Sequence, residues 1–174
     1  MSEVQWPWQY NFPPFFTLQP NEETKKKQLE AWRDLVLEYV KKTKTCIVDV
    51  QEADTTPLFS NAAISRKLSL EGIQAVLEML HQKGNAEPID KTKVRWYIYW
   101  HTLAEWADIF YQHAQENGLV NSVCTLYELV NTPDKEFTGL NEEIVIKILA
   151  QLQKDGKAEL ILSDDGSGSG VKFF

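Results

Sequence analysis

The 174-residue sequence predicts a mainly α fold with small β-hairpins (α+β), built as two copies of one small domain behind an extended N-terminal arm. Three observations predict it. The segment that begins at Leu68 recurs 72 positions later, from Leu140. Each copy reads as an amphipathic helix, a glycine and two strand-like runs. Residues 1–20 differ in composition from everything that follows.

The repeat needs no gap. Leu68 falls on Leu140, Glu71 on Glu143, Leu77 on Leu149, Leu80 on Leu152 and Gly84 on Gly156. Ala86-Glu87 falls on Ala158-Glu159, and Ile89 on Ile161. In the first copy Ile73, Val76, Leu77 and Leu80 share one helical face, as do Val145, Ile148, Leu149 and Leu152 in the second. Ser69 and Asn141 are N-cap residues. Gly84 and Gly156 stand where a left-handed C-terminal cap belongs. A hairpin follows each glycine. Its tips are Asp90–Lys93 and Asp164–Gly170, and its return strands are Val94–Trp100 and Val171–Phe174.

A further helix precedes each copy. Asn21 caps a helix over 22–43, with Trp32, Leu35, Val36 and Tyr39 inward. Thr102-Leu-Ala-Glu105 is a capping box that opens a helix to about Asn117, with Leu103, Trp106 and Phe110 inward. A short third helix fits between, capped by Thr56 with Pro57 at its first position in one copy. In the other it starts with the capping box Thr125-Leu-Tyr-Glu128. Helix, short strand, helix, helix, hairpin is the order of a winged helix. Residues 21–100 and 101–174 make two of them, and the lack of a linker between Trp100 and Thr102 predicts a fixed relation between the two.

The arm holds Trp6, Trp8, Tyr10, Phe12, Phe15 and Phe16, four of the seven prolines, and one charged side chain, Glu3. Prolines exclude an α-helix. Trp6, Trp8, Tyr10 and Phe12 alternate, so an extended chain sets them on one side, and Pro13-Pro14 favours polyproline II geometry that presents Phe15 and Phe16. Such rings are costly to leave solvated, each being worth about 1.5–3 kcal/mol when buried. Either the arm folds over its own first domain, or it docks into apolar pockets of another protein.

Composition excludes other classes. Hydrophobic residues at 43% and charged residues at 25% support a packed core rather than global disorder. A net charge of −7 argues against electrostatic binding to nucleic acid or anionic membrane. A nucleic-acid-binding winged helix is the alternative, yet residues 66–84 carry only three cations against two acids, residues 141–156 two against three, and the tip at Asp164-Asp165 is acidic. His81, His101 and His113 lack metal-ligand spacing, and His113 fits a hydrogen-bonded core histidine. Gly166-Ser-Gly-Ser-Gly170 lacks the helix and lysine of a phosphate loop. Glu142-Glu143 suits a first helical turn rather than a catalytic pair. No catalytic, cofactor-binding or metal-binding residues are expected. Cys46 and Cys124 read as reduced, buried thiols of a cytosolic protein, with no signal peptide and no membrane span.

The run Trp6-Pro-Trp-Gln-Tyr-Asn-Phe-Pro-Pro-Phe-Phe-Thr-Leu-Gln-Pro20 resembles the N-terminal signature of the small subunits of the endosomal sorting complex ESCRT-II, the vacuolar protein sorting twenty-five family. Pro57-Leu-Phe59, Arg66-Lys-Leu68, Cys124-Thr-Leu-Tyr-Glu-Leu129 and Gly170-Val-Lys-Phe-Phe174 agree with it, so the resemblance spans nearly the whole chain. It implies two winged helices and a non-catalytic adaptor, present in two copies in a complex with the other two ESCRT-II subunits. It implies that Pro13, Pro14, Phe15 and Phe16, flanked by Trp6, Trp8, Tyr10 and Phe12, insert into partner pockets. It also implies that residues 101–174 recruit the initiating subunit of ESCRT-III, for sorting of ubiquitinated cargo into multivesicular endosomes, with membrane contact indirect.

Overall fold

Helix α1, Glu22–Thr43, opens the first of two compact units, Met1–Trp100 and His101–Phe174. The computed structural model describes residues 3–163 and 168–174. Asp164, Asp165, Gly166 and Ser167 lie outside the described residues, and with them the acidic tip and the first two residues of the Gly-Ser run.

Asn21 caps α1, its side chain accepting from the Thr24 amide. Trp32, Leu35, Val36 and Val40 form its buried stripe, while Tyr39 is half-buried. Strand β1 is Ile47–Asp49, and a two-residue ribbon follows, β2 Ser60–Asn61 against β3 Arg66–Lys67. Helix α2 is Leu70–Gln82, with Ser69 as its cap. Strands β4, Ala86–Pro88, and β5, Arg95–Ile98, form the hairpin. The sheet order is β1-β5-β4, antiparallel throughout.

The second unit repeats this plan. Helix α3, Leu103–Glu116, starts at the Thr102–Glu105 capping box, with both reciprocal hydrogen bonds made. Strand β6, Val123–Thr125, leads into the five-residue α4, Leu126–Val130, where Thr125 accepts from the Glu128 amide. Helix α5 is Glu142–Lys154, and β7, Ala158–Ile161, pairs with β8, Gly170–Phe173, in the order β6-β8-β7. Shifted by 72 positions, α2 lands on α5 residue for residue, and β4 and β7 both begin at the repeated alanine.

One expected element is absent from the first unit. Residues 57–61 are not helical. Their backbone is committed elsewhere: the Tyr10 hydroxyl donates to the carbonyls of Pro57 and Ser60, and Asn61 Nδ2 donates to the Tyr10 carbonyl at 2.7 Å.

Each unit has its own core. Trp32, Phe59, Leu77, Leu80 and Trp96 fill the first; Trp106, Phe110, Phe137, Ile148 and Phe173 fill the second. Phe110 stacks on Phe137 at 4.5 Å. His113 is buried, its ring edge-on to Phe137 with the ring centroids 5.0 Å apart, and its Nδ1 bonded to Asn117 at 3.1 Å. Burial, reinforced by Lys135, lowers its pKa against the opposing pull of Glu116.

Gly156 has φ of +74°, and a Cβ built there meets nothing within 4 Å. Gly156→Ala is therefore expected to cost about 1–2 kcal/mol through left-handed backbone strain alone, and Gly156→Asn less. Urea unfolding of the three proteins measures this, and equal midpoints would refute it.

Candidate functional site

Residues 8–11 and 13–16 of the arm are neither extended nor polyproline II. Trp8–Asn11 and Pro13–Phe16 form two successive 3₁₀ turns. The Phe15 amide donates to the Phe12 carbonyl at 2.9 Å, and the Thr17 amide to the Pro14 carbonyl at 3.2 Å. Proline tolerates this geometry because its φ is compatible and its missing N–H lies at the start of the turn. The tighter winding turns the two ends of the motif to opposite sides. Phe15 and Phe16, which the resemblance places in partner pockets, are buried in the first unit.

Trp32 of α1 receives them. Phe15 stacks on the indole at 4.2 Å with the planes 4° apart, and Phe16 meets it edge-on at 5.4 Å. Trp32 Nε1 donates to the Phe15 carbonyl at 3.0 Å. One turn earlier, the buried Gln28 serves several backbone groups at once. Its Nε2 donates to the carbonyls of Phe15 at 3.0 Å and Thr17 at 2.8 Å, while its Oε1 accepts from the Gln19 amide at 3.1 Å. A glutamine there matches a stretch of backbone that changes from a 3₁₀ turn to extended chain at Thr17.

Tyr10 holds the other end. Its hydroxyl lies between two backbone carbonyls of residues 57–60, and its ring stacks on Trp6 at 4.1 Å. Trp6 also meets Tyr39 at 6.2 Å. Burial, with Tyr39 adding to it, raises the Tyr10 pKa, so the hydroxyl stays a proton donor well into alkaline solution.

The remaining apolar groups point outward. Trp8 is 70% exposed, Phe12 47% and Trp6 38%, and Pro13 and Pro14 are exposed beside them. Trp8 and Phe12 lie 5.6 Å apart, so they form one patch. The eight expected site residues thus divide. Trp6, Trp8, Phe12, Pro13 and Pro14 make an outer face; Tyr10, Phe15 and Phe16 are anchors.

Among the described residues no group of three or more His, Cys, Asp or Glu is placed to hold a metal ion. Cys46 and Cys124 are buried thiols, and burial together with Glu128 raises the pKa of Cys124. No described helix is long and apolar enough to cross a membrane.

The arm and both units are recognised together. The family model for the ESCRT-II complex subunit matches residues 9–142, from within the first 3₁₀ turn into α5. The chain belongs to the ESCRT-II subunit family. It is 54% identical over 173 residues to vacuolar protein-sorting-associated protein 25 of Danio rerio, with 98% of both chains covered. It is 50% identical to the protein of that name from Homo sapiens, covering 98% of this chain and 97% of that one. The crystal structure of subunit VPS25 of the endosomal trafficking complex ESCRT-II matches with a TM-score of 0.86 at 28% identity, over 98% of this chain and 99% of that one. A chain of the crystal structure of endosomal complex ESCRT-II (VPS22/VPS25/VPS36) matches with a TM-score of 0.81 at 29% identity, over 96% and 98%.

Within this ESCRT-II family chain, Gln28 and Trp32 were not legible as arm receptors. Both sit on a helical face, where a buried glutamine reads as a surface residue and a tryptophan as ordinary core. The useful signal is that Gln28 falls on the buried stripe one turn before Trp32. Gln28→Ala leaves the carbonyls of Phe15 and Thr17 without this donor. It is expected to cost about 1–3 kcal/mol of unit 1 stability, and an unchanged urea midpoint would overturn the assignment.

Proposed function

We propose that this ESCRT-II family chain is a non-catalytic adaptor whose arm docks on the other two ESCRT-II subunits, two copies of the chain serving each complex. One observation carries the reading. Trp8, Phe12, Pro13 and Pro14 form an exposed apolar face on a segment whose neighbouring rings are fixed in the core. Large exposed aromatics beside prolines suit a hydrophobic pocket in a partner, and tryptophan is the side chain that most often dominates such contacts. Tyr10, Phe15 and Phe16 are the anchors that hold this face in place. The solved ESCRT-II complex that resembles this chain contains VPS22 and VPS36, and their counterparts are the proposed partners.

In the same reading each unit is a winged helix, and residues 101–174 recruit the initiating subunit of ESCRT-III through its amphipathic helix. Unit 2 carries exposed apolar side chains that favour a second contact of this kind: Tyr127 on α4 is 76% exposed and Val123 on β6 62%. The protein would then act at the endosomal membrane through its partners in sorting ubiquitinated cargo. Its acidic balance, −7 overall, fits an indirect membrane contact. A nucleic-acid role finds no support in the charge distribution of α2, with two acids and no lysine or arginine, or of α5, with two of each.

Two experiments test the reading. Trp8→Ala with Phe12→Ala, co-expressed with the other two ESCRT-II subunits, is expected to weaken assembly by at least about tenfold while the melting temperature of the isolated chain stays within about 2 °C. Assembly at wild-type strength would refute the docking role. Separately, Tyr127→Ala is expected to weaken calorimetric binding of the ESCRT-III helix peptide by at least about fivefold. Retained affinity there would move that contact off α4 without touching the arm proposal.

A further inference from the structure

The free edges of the small sheets are not treated alike. In unit 1 the hydrogen bonds Tyr99 N–H to Asn85 O and Ile89 N–H to Arg95 O set the phase of β4. Ala86 and Pro88 are therefore the residues that face outward. Pro88 has no N–H to offer, and the His81 ring nitrogen lies 2.9 Å from the Ala86 carbonyl, which can only accept. In unit 2 the Phe174 amide bonds to the Lys157 carbonyl, so Ala158 and Leu160 face outward on β7. The Leu160 N–H donates to Gln153 Oε1 at 2.8 Å. Both edges thus carry a side-chain or proline block of the kind that discourages strand addition. β6 turns Val123 and the Thr125 N–H outward with no such block, and the strand ends at once in α4, which Thr125 caps.

β1 differs. Ile98 N–H bonds to Cys46 O, and Val50 N–H to Val94 O, so Cys46, Val48 and Val50 turn toward β5. Ile47 and Asp49 then turn their backbone groups outward. The Asp49 carbonyl closes a turn with the Glu52 amide. The Ile47 N–H, the Ile47 carbonyl and the Asp49 N–H take no partner among the described residues. Alongside this open edge lies a concavity of about 330 Å³, lined by Tyr39, Val40, Val48, Leu58 and Phe59. Asp49, Glu52 and Arg95 lie on its wall, two acids to one base.

We propose that the β1 edge is a second protein-docking site, which accepts an extended partner segment of alternating apolar and basic side chains by strand addition. The open donor–acceptor–donor row specifies backbone in the β conformation, which a helix cannot supply because its own groups are already paired. Alternation places every second side chain on the Val48 face, over the concavity, whose size suits one or two aliphatic side chains. The intervening side chains fall beside Ile47 and Asp49, where the acidic excess favours lysine or arginine. The concavity borders the arm at Tyr39, which Trp6 also touches, so a segment here would continue the proposed arm interface.

The probe is a capped heptapeptide of alternating lysine and valine, added to the ¹⁵N-labelled full chain at near-physiological salt. At ten times its Kd, exchange of the Ile47 and Asp49 amides is expected to slow about tenfold, with little change at Leu160. Two N-methylated isomers of the peptide, each blocking one alternate set of amides, are expected to separate, one losing at least about tenfold in affinity. Glu52→Lys, at an exposed rim position, should weaken the unmethylated peptide about threefold or more without changing the melting temperature. The proposal is overturned by no binding up to millimolar peptide, by equal affinity of the two methylated isomers, or by perturbation centred on Trp8, Val123 or Leu160.

Discussion

Unit 1 depends on what reaches Trp32. The indole sits in the dry interior of the unit, and its N–H needs an acceptor there. The Phe15 carbonyl supplies it, and the Phe15 and Phe16 rings cover two sides of the same indole. Burying two such rings is worth about 3–6 kcal/mol in transfer free energy, against a total of about 5–15 kcal/mol for a typical domain. A segment that composition marks as a tail is therefore part of the core of this unit. Removal of residues 1–19 would take that contribution with it, so the arm cannot be read as a detachable leader.

The long-period features were legible because each element in them is specified locally. Asn21 and Thr102 hold donors at helix starts, Gly84 and Gly156 take left-handed backbone at helix ends, and the buried stripes of α2 and α5 recur at a fixed interval. The shorter features were not, because their geometry is set across the chain. Thr56-Pro57 carries a helix-start pattern, yet the hydroxyl of Tyr10, some fifty positions away, takes the carbonyls there instead. Pro13-Pro14 is compatible with polyproline II and with a 3₁₀ turn alike, and Trp32 selects the turn by rewarding burial of the next two rings. The aromatic content of the arm revealed that it must bury surface. It did not reveal which rings would be satisfied at home.

The two units show how one plan diverges under different demands. Both place the return strand at the centre of a three-stranded sheet and a long helix behind it. Unit 2 keeps the short middle helix, α4, and shows an exposed tyrosine on it. Unit 1 has irregular chain and 3₁₀ turns in the equivalent stretch, hydrogen-bonded to the arm. Loss of that helix and gain of the arm are two sides of one rearrangement: backbone groups released from helical pairing are the ones Tyr10 uses.

Anchoring at both Tyr10 and Phe15 leaves Trp8, Phe12 and the two prolines on a short, doubly tethered span. Such a span has already lost its chain entropy when the unit folds, so an encounter need not wait for it to order. It also has little freedom to adapt. If two copies meet two different subunits, the relief they present is identical, and the burden of fitting falls on the other side: unrelated stretches of the two receiving proteins must converge on one mould.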